Sequence, residues 1–279
     1  KNWTRQIHVQ RLINKIIIPF MSNSLRIFHQ LQADLNQIIL GQERLIERLF
    51  IVLLADGHLL VEGAPGLAKT RAIKALGEKI EGEFQRIQFT PDLLPADVTG
   101  TDIYRPQEGS FHFQSGPVFH NLVLADEINR APAKVQSALL EAMGERQVTV
   151  GGQTYPLPDL FLVMATQNPI EQEGTYPLPE AQLDRFMMKF SLGYPSFDDE
   201  ITMLEMLQHS HPLNSLEPVI QADELLECQQ AVRAIHVDIK VQQYLMQIVH
   251  LSREHDDVAL GGSPRASIAL FRTAQAMAA

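Results

Sequence analysis

The chain has 279 residues, of which 45% are apolar and 20% charged, and its formal net charge is -10 at pH 7. This composition supports a buried core and excludes global disorder, and the excess of acids argues against general nucleic-acid binding, which needs clustered Lys and Arg. The single cysteine, Cys228, excludes an internal disulfide and fits the reducing cytoplasm, where we expect the protein to reside. No apolar run reaches the roughly 18 residues of a membrane span, so we expect no membrane insertion.

The beginning of the chain differs from the rest in charge. Basic residues occur there without any acid before Asp34, and the apolar stretch 16–20 is too short for a signal peptide and lacks a small-residue cleavage site. We therefore predict that residues 1–23 form a loosely ordered leader, with a functional basic arm as the alternative.

Hydrophobic periodicity predicts two types of element that alternate along the chain. Helical spacing predicts a helix over 24–40 and a second one over 42–55. Further on, short apolar runs predict strands at 58–62, 84–89, 122–125, 160–166 and 186–192, and helical spacing predicts helices at 70–80 and 133–143. Such alternation is typical of a doubly wound parallel sheet, which places the chain in the α/β class.

Two predicted hairpins interrupt this pattern. The first covers 101–118 and turns at Glu108 and Gly109, and the second covers 146–158 and turns at Gly151 and Gly152.

Composition changes after Pro195, where only helical segments follow. They cover 198–209, 222–235 and 240–252, and a last one begins at Pro264. We therefore predict an α/β domain over 24–195 and a small all-α lid over 196–279, truncated at its C-terminus.

A loop of small residues follows the first predicted strand and opens a helix. It consists of Gly63, Ala64, Pro65, Gly66, Leu67 and Ala68, followed by Lys69 and Thr70. Backbone N–H groups of such a loop can converge on phosphate oxygens, helped by the positive end of the helix. Lys69 can then reach the β- and γ-phosphates of ATP and Thr70 can hold Mg²⁺. Ala68 stands where the general pattern has glycine, so the backbone there needs a negative φ.

Two acids end the predicted strand at 122–125. Carboxylates at the C-terminal end of a parallel strand lie in the crevice where ligands bind. We expect Asp126 to hold Mg²⁺ and Glu127 to act as the general base for an attacking water. Taken alone the pair also fits a solvated strand end, but the phosphate loop upstream favours the catalytic interpretation.

With these motifs the chain resembles the MoxR family of AAA+ ATPases, which have the P-loop NTPase fold. The resemblance covers about 39–265 and is carried by the stretches 40–43 (LGQE), 57–70 (GHLLVEGAPGLAKT), 125–131 (ADEINRA), 165–169 (ATQNP), 178–186 (LPEAQLDRF) and 263–265 (SPR). Ala68 is itself usual in MoxR-like sequences. The two hairpins resemble the helix-2 insert and the pre-sensor 1 hairpin, which mark the branch shared with magnesium-chelatase motor subunits.

The resemblance implies roles for two residues near the γ-phosphate. Asn168 resembles the sensor 1 residue that orients the attacking water, although an asparagine before Pro169 also fits a turn. Arg185 resembles the arginine finger that reaches the ATP of a neighbouring subunit, a task suited to a permanent, forked cation. An intrachain ion pair with Asp184 is the alternative for Arg185.

Three further residues acquire roles by resemblance. Arg265 resembles sensor 2, which contacts the γ-phosphate of its own subunit, with a solvated arginine at a helix start as the alternative. Gly41 and Gln42 resemble the segment that lines the adenine pocket, and a plain helix cap is the alternative. Arg130 is more typical of an interface or ion pair and is left out of the candidate site.

These expectations combine into a function. The chain should convert ATP and water into ADP and phosphate with Mg²⁺, as part of a homo-oligomeric ring that by resemblance has six subunits. The output implied by the resemblance is chaperone-like remodelling or maturation of a client protein, often one with a von Willebrand factor A domain. The alternatives are a metal-chelatase motor subunit and, less favoured by the acidic charge, a nucleic-acid motor of the helicase class.

Overall fold

The computed structural model describes most of the chain, namely residues 27–28, 30–36, 38–64, 69–168, 174–209 and 218–279, without the side chains of 203 and 206–209. The leader predicted over 1–23 lies outside the described residues.

Helices and strands alternate along the described chain. The strands are β1 (Leu59–Glu62), β2 (Ile80–Glu81), β3 (Phe84–Gln88), β4 (Gly100–Arg105), β5 (Ser110–Ser115), β6 (Leu122–Asp126), β7 (Gln147–Val150), β8 (Gln153–Pro156), β9 (Leu162–Gln167), β10 (Met188–Ser191) and β11 (Ile220–Gln221). The helices are α1 (Glu43–Leu54), α2 (Lys69–Lys79), α3 (Pro95–Thr99), α4 (Ala133–Glu145), α5 (Glu180–Leu183), α6 (Phe197–His209), α7 (Ala222–Arg233), α8 (Ile239–Glu254) and α9 (Pro264–Ala278). A helical segment over 30–36 precedes α1.

Five of the strands form one parallel sheet in the order β10, β1, β9, β6, β3. Successive residues of β1 enter different cores, because side chains alternate between the two faces of a strand. Leu59 and Val61 join the core that contains α1 and α2, whereas Leu60 joins the core that contains α4. Helices therefore cover both faces, and the predicted doubly wound α/β architecture is confirmed.

The two predicted hairpins are present and touch each other. β4 pairs with β5 and β7 pairs with β8, both antiparallel, with positive φ at Gly109, Gly151 and Gly152 in the turns. Phe113 of the first hairpin stacks on Tyr155 of the second, with ring centroids 3.9 Å apart and planes 13° from parallel. The stacked rings hold the two hairpins together.

The lid helices dock against α1. Residues of α7 and α9 belong to the same core as α1, and the buried Gln229 donates to the carbonyl of Leu53 at 2.7 Å. Asp56, which follows α1, accepts hydrogen bonds from Arg146 of the α/β domain and from Arg233 of the lid. One carboxylate thereby joins the two parts of the molecule.

The expectation that only helices follow residue 198 is wrong in one place. The short strand β11 pairs in parallel with β2, in the register Ile220 to Ile80. Two residues carry no periodicity, so only the tertiary contact makes this strand. Within the part of the chain described, no helix combines the length and the apolar character needed to cross a membrane.

His58 is a buried histidine that links β1 to its neighbours. Its Nδ1 accepts from the backbone N–H of Val163 at 3.1 Å, and its Nε2 lies 3.4 Å from the carbonyl oxygen of Met143. The ring also packs edge-on against Phe161, with centroids 5.5 Å apart. Burial, reinforced by the charge of Arg146, lowers the pKa of His58 to about 3, so the folded chain keeps the ring neutral.

We expect acid to destabilise the fold through His58. The unfolded chain takes up this proton near pH 6.5 but the folded chain only near pH 3, so the free energy of unfolding falls as the pH drops below 6.5. The loss should reach about 2–3 kcal/mol over roughly two pH units. Urea unfolding of the wild type and of His58→Asn across this range measures it.

The variant lacks this titration, so its stability should fall less steeply than that of the wild type. Equal slopes in the two proteins would contradict a buried, neutral His58.

Candidate active site

The two described ends of the phosphate loop, at Gly63 and Lys69, lie at the same edge of the sheet as the acids. Gly63, Glu127 and Asn168 come directly after β1, β6 and β9 respectively, and these three strands are neighbours. Because all three are parallel, their C-terminal ends lie side by side and form the crevice typical of ligand sites in α/β folds.

Lys69 lies in this crevice at the start of α2. Its Nζ donates to the carbonyl oxygen of Gly63 at 2.9 Å, and the side chain is buried. Burial lowers the pKa of Lys69, and the charges of Asp126 and Glu127 partly oppose this shift. Thr70 follows in the first turn of the helix. Loop residues 65–68 lie outside the described part of the chain, so Pro65, Gly66, Leu67 and Ala68 remain predicted phosphate-binding residues.

Both carboxylate oxygens of Asp126 accept hydrogen bonds. The hydroxyl of Thr166 donates to Oδ1 at 2.6 Å, and Arg86 of β3 donates to Oδ2 through Nη2 at 2.7 Å and Nε at 3.2 Å. The side chain of Asp126 is 12% exposed, so an unpaired negative charge here would be costly. Arg86 and Thr166 are absent from the residues predicted by sequence.

Glu127 is held by side chains from two directions. Its Oε2 accepts from Gln88 at 2.8 Å and lies 3.1 Å from Nε of Arg130. Its backbone is left-handed, with φ 58°, and its N–H donates to the hydroxyl of Thr166 at 2.9 Å. Arg130, which sequence reasoning set aside, thus pairs directly with the predicted general base.

The residues that sequence reasoning missed lie on strands beside the acids. Arg86 and Gln88 occupy alternate positions of β3, which pairs with β6 so that Gln88 faces Asp126 in register. Polar residues at every second position of a strand indicate that one face of the strand is polar. Only the order of the strands shows that Arg86 reaches Asp126 and that Gln88 reaches Glu127.

Asn168 is buried and follows β9, as predicted. Its carbonyl oxygen accepts a hydrogen bond from the side chain of Asn129 at 3.4 Å. The structure thus brings Asn168 to the edge that carries Lys69 and Asp126.

Gly41 and Gln42 lie beside the end of β10, on the same edge of the sheet. The side chain of Gln42 donates to the carbonyl of Gly193 at 3.2 Å. Gly41 has φ +69°, and a Cβ there would come within 2.9 Å of Pro195. This close approach explains a glycine at position 41, and it places the predicted adenine-side segment next to the crevice.

The donors in the crevice suit magnesium held together with a nucleotide. Thr70 and Asp126 offer hard oxygen atoms of the kind that Mg²⁺ prefers. Among the described residues no cluster of three or more His, Cys, Asp or Glu could hold a metal on its own. The site therefore fits a Mg²⁺ ion that takes most of its ligands from phosphate oxygens and water.

Arg185 and Arg265 line a different feature, a groove of about 940 Å³ between the α/β domain and the lid. We name it the arginine groove, because its walls also include Arg146 and Arg272. Arg185 donates to the carbonyl oxygen of Leu140. The predicted alternative for Arg185, a pair with Asp184, is not what the structure shows.

Asp184 instead faces the lid. Its carboxylate accepts from the hydroxyl of Ser263 at 2.6 Å and lies 3.8 Å from Nη1 of Arg265. The side chain of Arg265 remains 61% exposed.

Arg265 lies apart from Gly63 and Lys69, and its contact with the phosphates of its own subunit stays a prediction. The arginine groove is lined by Gly57 and His58, which precede β1, whereas Lys69 contacts Gly63, which follows β1. The extended chain from His58 to Gly63 spans roughly 16 Å. Docking of the lid beside the N-terminal end of β1 thus places Arg265 at the sheet edge opposite the phosphate loop.

The fold and this crevice define a P-loop domain of the AAA type, and comparisons with known proteins agree. A family model described as "ATPase family associated with various cellular activities (AAA)" matches residues 58–188, and an AAA lid domain model matches 250–279. A crystal structure from Cytophaga hutchinsonii, described as a candidate ATPase, is 42% identical with a TM-score of 0.84, covering 94% of this chain and 84% of that chain.

Curated relatives identify the family more narrowly. Chaperone MoxR1 of Mycobacterium tuberculosis is 46% identical over 254 residues, which are 88% of this chain and 67% of that protein. The Bacillus subtilis protein YeaC, described as uncharacterised, is 50% identical over 244 residues, which are 88% of this chain and 76% of that protein. The chain belongs to the MoxR family of AAA+ ATPases.

Proposed function

We propose that the chain hydrolyses ATP to ADP and phosphate with Mg²⁺ and uses the cycle to remodel a client protein. The observation that supports this most directly is the meeting of Lys69, Asp126, Glu127 and Asn168 at one edge of the sheet. A cation, two acids and a polar amide around a phosphate loop are the parts that phosphoryl transfer to water requires.

Each residue has a task that follows from its place. Lys69 exchanges the carbonyl of Gly63 for phosphate oxygens, which is favoured because a buried ammonium gains a charged partner. Thr70 and Asp126 would hold Mg²⁺, which supplies charge neutralisation on the phosphates when bound. Glu127 accepts the proton of the attacking water, and Asn168 orients that water.

Glu127 must change partners before it can act. In this structure its carboxylate is engaged by Gln88 and Arg130. Both contacts are made to Oε2 and fix its orientation, so activation includes release of this oxygen from Gln88 and Arg130.

The two remaining arginines are proposed to act on a neighbouring subunit. Arg185 and Arg265 share the arginine groove at the edge opposite the phosphate loop, so they are badly placed for the nucleotide of their own chain. A ring brings the groove of one subunit to the crevice of the next, since head-to-tail contacts close into rings. By resemblance we propose six subunits.

The hairpins are the proposed contact with the client. Tyr104 and Phe111, on neighbouring strands of the first hairpin, are 51% and 69% exposed, with ring centroids 5.2 Å apart. The second hairpin leads into β9, which carries Thr166 and ends beside Asn168. A movement at the γ-phosphate can thus pass through β9 and the Phe113–Tyr155 stack to the first hairpin.

The charge of the hairpins disfavours a nucleic-acid motor. Arg105, next to the turn of the first hairpin, is paired with Glu108 at 3.3 Å, and Asp102 adds a negative charge on the same hairpin. Strands that grip nucleic acid present unpaired cations next to stacking aromatics. A protein client, for which a von Willebrand factor A domain is the proposal by resemblance, suits this surface better.

Glu127→Gln should stop turnover while leaving nucleotide binding intact. The amide keeps the shape of the side chain but cannot accept the proton, so kcat should fall by about 100-fold or more. Phosphate release measures turnover, and calorimetry with Mg·ATP measures affinity. Glu141→Gln, an exposed glutamate on α4, serves as the matched control; a Glu127→Gln enzyme as fast as this control would refute the general base.

Mixing variants tests whether Arg185 acts between subunits. Lys69→Ala and Arg185→Ala should each be inactive, yet their mixture should recover part of the activity. In a mixed ring, a Lys69→Ala subunit still offers Arg185 to the intact crevice of its neighbour. Phosphate release from pre-mixed proteins measures the recovery, and Arg265→Ala should behave like Arg185→Ala.

The control mixture combines Lys69→Ala with Glu127→Gln. Both changes damage the same crevice in cis, so no recovery is expected. If the mixture of Lys69→Ala and Arg185→Ala is no more active than this control, the proposal of a site shared between subunits is wrong.

A further inference from the structure

One hydroxyl group touches both catalytic acids. Thr166 on β9 donates its hydroxyl hydrogen to Oδ1 of Asp126 at 2.6 Å, and the same oxygen accepts from the backbone N–H of Glu127 at 2.9 Å. Thr166 has no exposed surface, so water does not compete for these bonds. The donor and acceptor capacities of the hydroxyl are thus both directed at the acid pair.

The bond to Asp126 decides which oxygen faces the crevice. Pairing of β6 with β9 brings Ala125 opposite Ala165, which places the backbone of Asp126 but leaves its side-chain torsions free. With Oδ1 bound to Thr166, Oδ2 is the oxygen left to other partners, and Arg86 occupies it in this structure. A cation that replaced Arg86 would therefore meet a carboxylate whose orientation is already set.

The bond to Glu127 supports an unfavourable backbone conformation. Glu127 has φ 58° and ψ 48°, a left-handed geometry that costs a non-glycine residue free energy. Its part-buried N–H would lose this hydrogen-bond partner if the hydroxyl were absent. The direction in which the Glu127 side chain leaves the strand end depends on this geometry.

We propose that Thr166 is a positioning residue that aligns Asp126 and Glu127 for Mg²⁺ and for the attacking water. The inference rests on the proposed ATP hydrolysis and goes beyond it, because it assigns the alignment to one hydroxyl rather than to the strand pairing. A threonine that served only to fill the core would be replaceable by valine, which has nearly the same shape.

The test compares Thr166→Val with Thr166→Ser, which keeps the hydroxyl. Thr166→Val should lower kcat about 10- to 100-fold with little change in KM for ATP, since misalignment affects the transition state more than binding. The Mg²⁺ concentration that half-saturates binding of a slowly hydrolysed ATP analogue, followed by calorimetry, should rise about tenfold. Thr166→Ser should lie close to the wild type in both measurements.

The matched control is Thr99→Val, which deletes another hydroxyl bonded to a protein oxygen, at 3.0 Å from the carbonyl of Pro95 and away from the acids. It should leave both measurements unchanged. If Thr166→Val does not fold, Thr166→Cys takes its place, because a thiol is a weak donor of similar size and should show a smaller defect in the same direction.

The outcomes separate this proposal from the proposed function. A wild type that hydrolyses ATP with Thr166→Val unaffected, or with Thr166→Ser as defective as Thr166→Val, overturns the role of the hydroxyl alone. A wild type without ATPase activity overturns the proposed function, and the Mg²⁺ dependence of analogue binding then tests the positioning role of Thr166 by itself. An unchanged Mg²⁺ dependence in Thr166→Val would reject that role.

Discussion

A buried carboxylate at the end of a central strand is the constraint on which the rest of the site depends. Thr166 and Arg86 satisfy the two oxygens of Asp126, which offsets the cost of burying a carboxylate there. Those partners come from the strands on either side of β6. The order β9, β6, β3 is therefore needed to pair the carboxylate of Asp126 as well as to build the core. Gln88 and Arg130 both contact Oε2 of Glu127, so both acids are held by the protein until a ligand replaces these contacts.

The two edges of the sheet formed by the C-terminal and N-terminal ends of its strands carry different parts of the proposed site. The C-terminal edge collects the phosphate loop, the acids and Asn168, whereas the opposite edge carries the arginine groove between the α/β domain and the lid. Contacts such as Asp56 with Arg146 and Arg233 hold the lid at that second edge. A single copy therefore contains both halves of the proposed catalytic arrangement but keeps them apart, and the proposed function accordingly requires assembly.

Features with a local signal could be predicted from the sequence, and features that depend on packing could not. The strands, the two hairpins, the phosphate loop and the acid pair follow from periodicity, turn residues and spacing within short segments. Thr166, Arg86 and Gln88 gain their meaning only when strand order brings them to Asp126 and Glu127. The strand β11 exists only through its contact with β2. The position of Arg265 also depends on packing, because docking of the lid, rather than the helix that carries it, decides which edge of the sheet it faces.

We propose that each ATP is held by its own chain on one side and by the arginines of the neighbour on the other. The decisive measurement is a structure of the assembled protein with a slowly hydrolysed ATP analogue and Mg²⁺. We expect Lys69 and Asp126 at the analogue bound to their own chain, with Arg185 and Arg265 of each subunit at the γ-phosphate of the next. Arg265 bound to the γ-phosphate of its own chain, or Arg185 turned away from every nucleotide in a fully occupied ring, would contradict it.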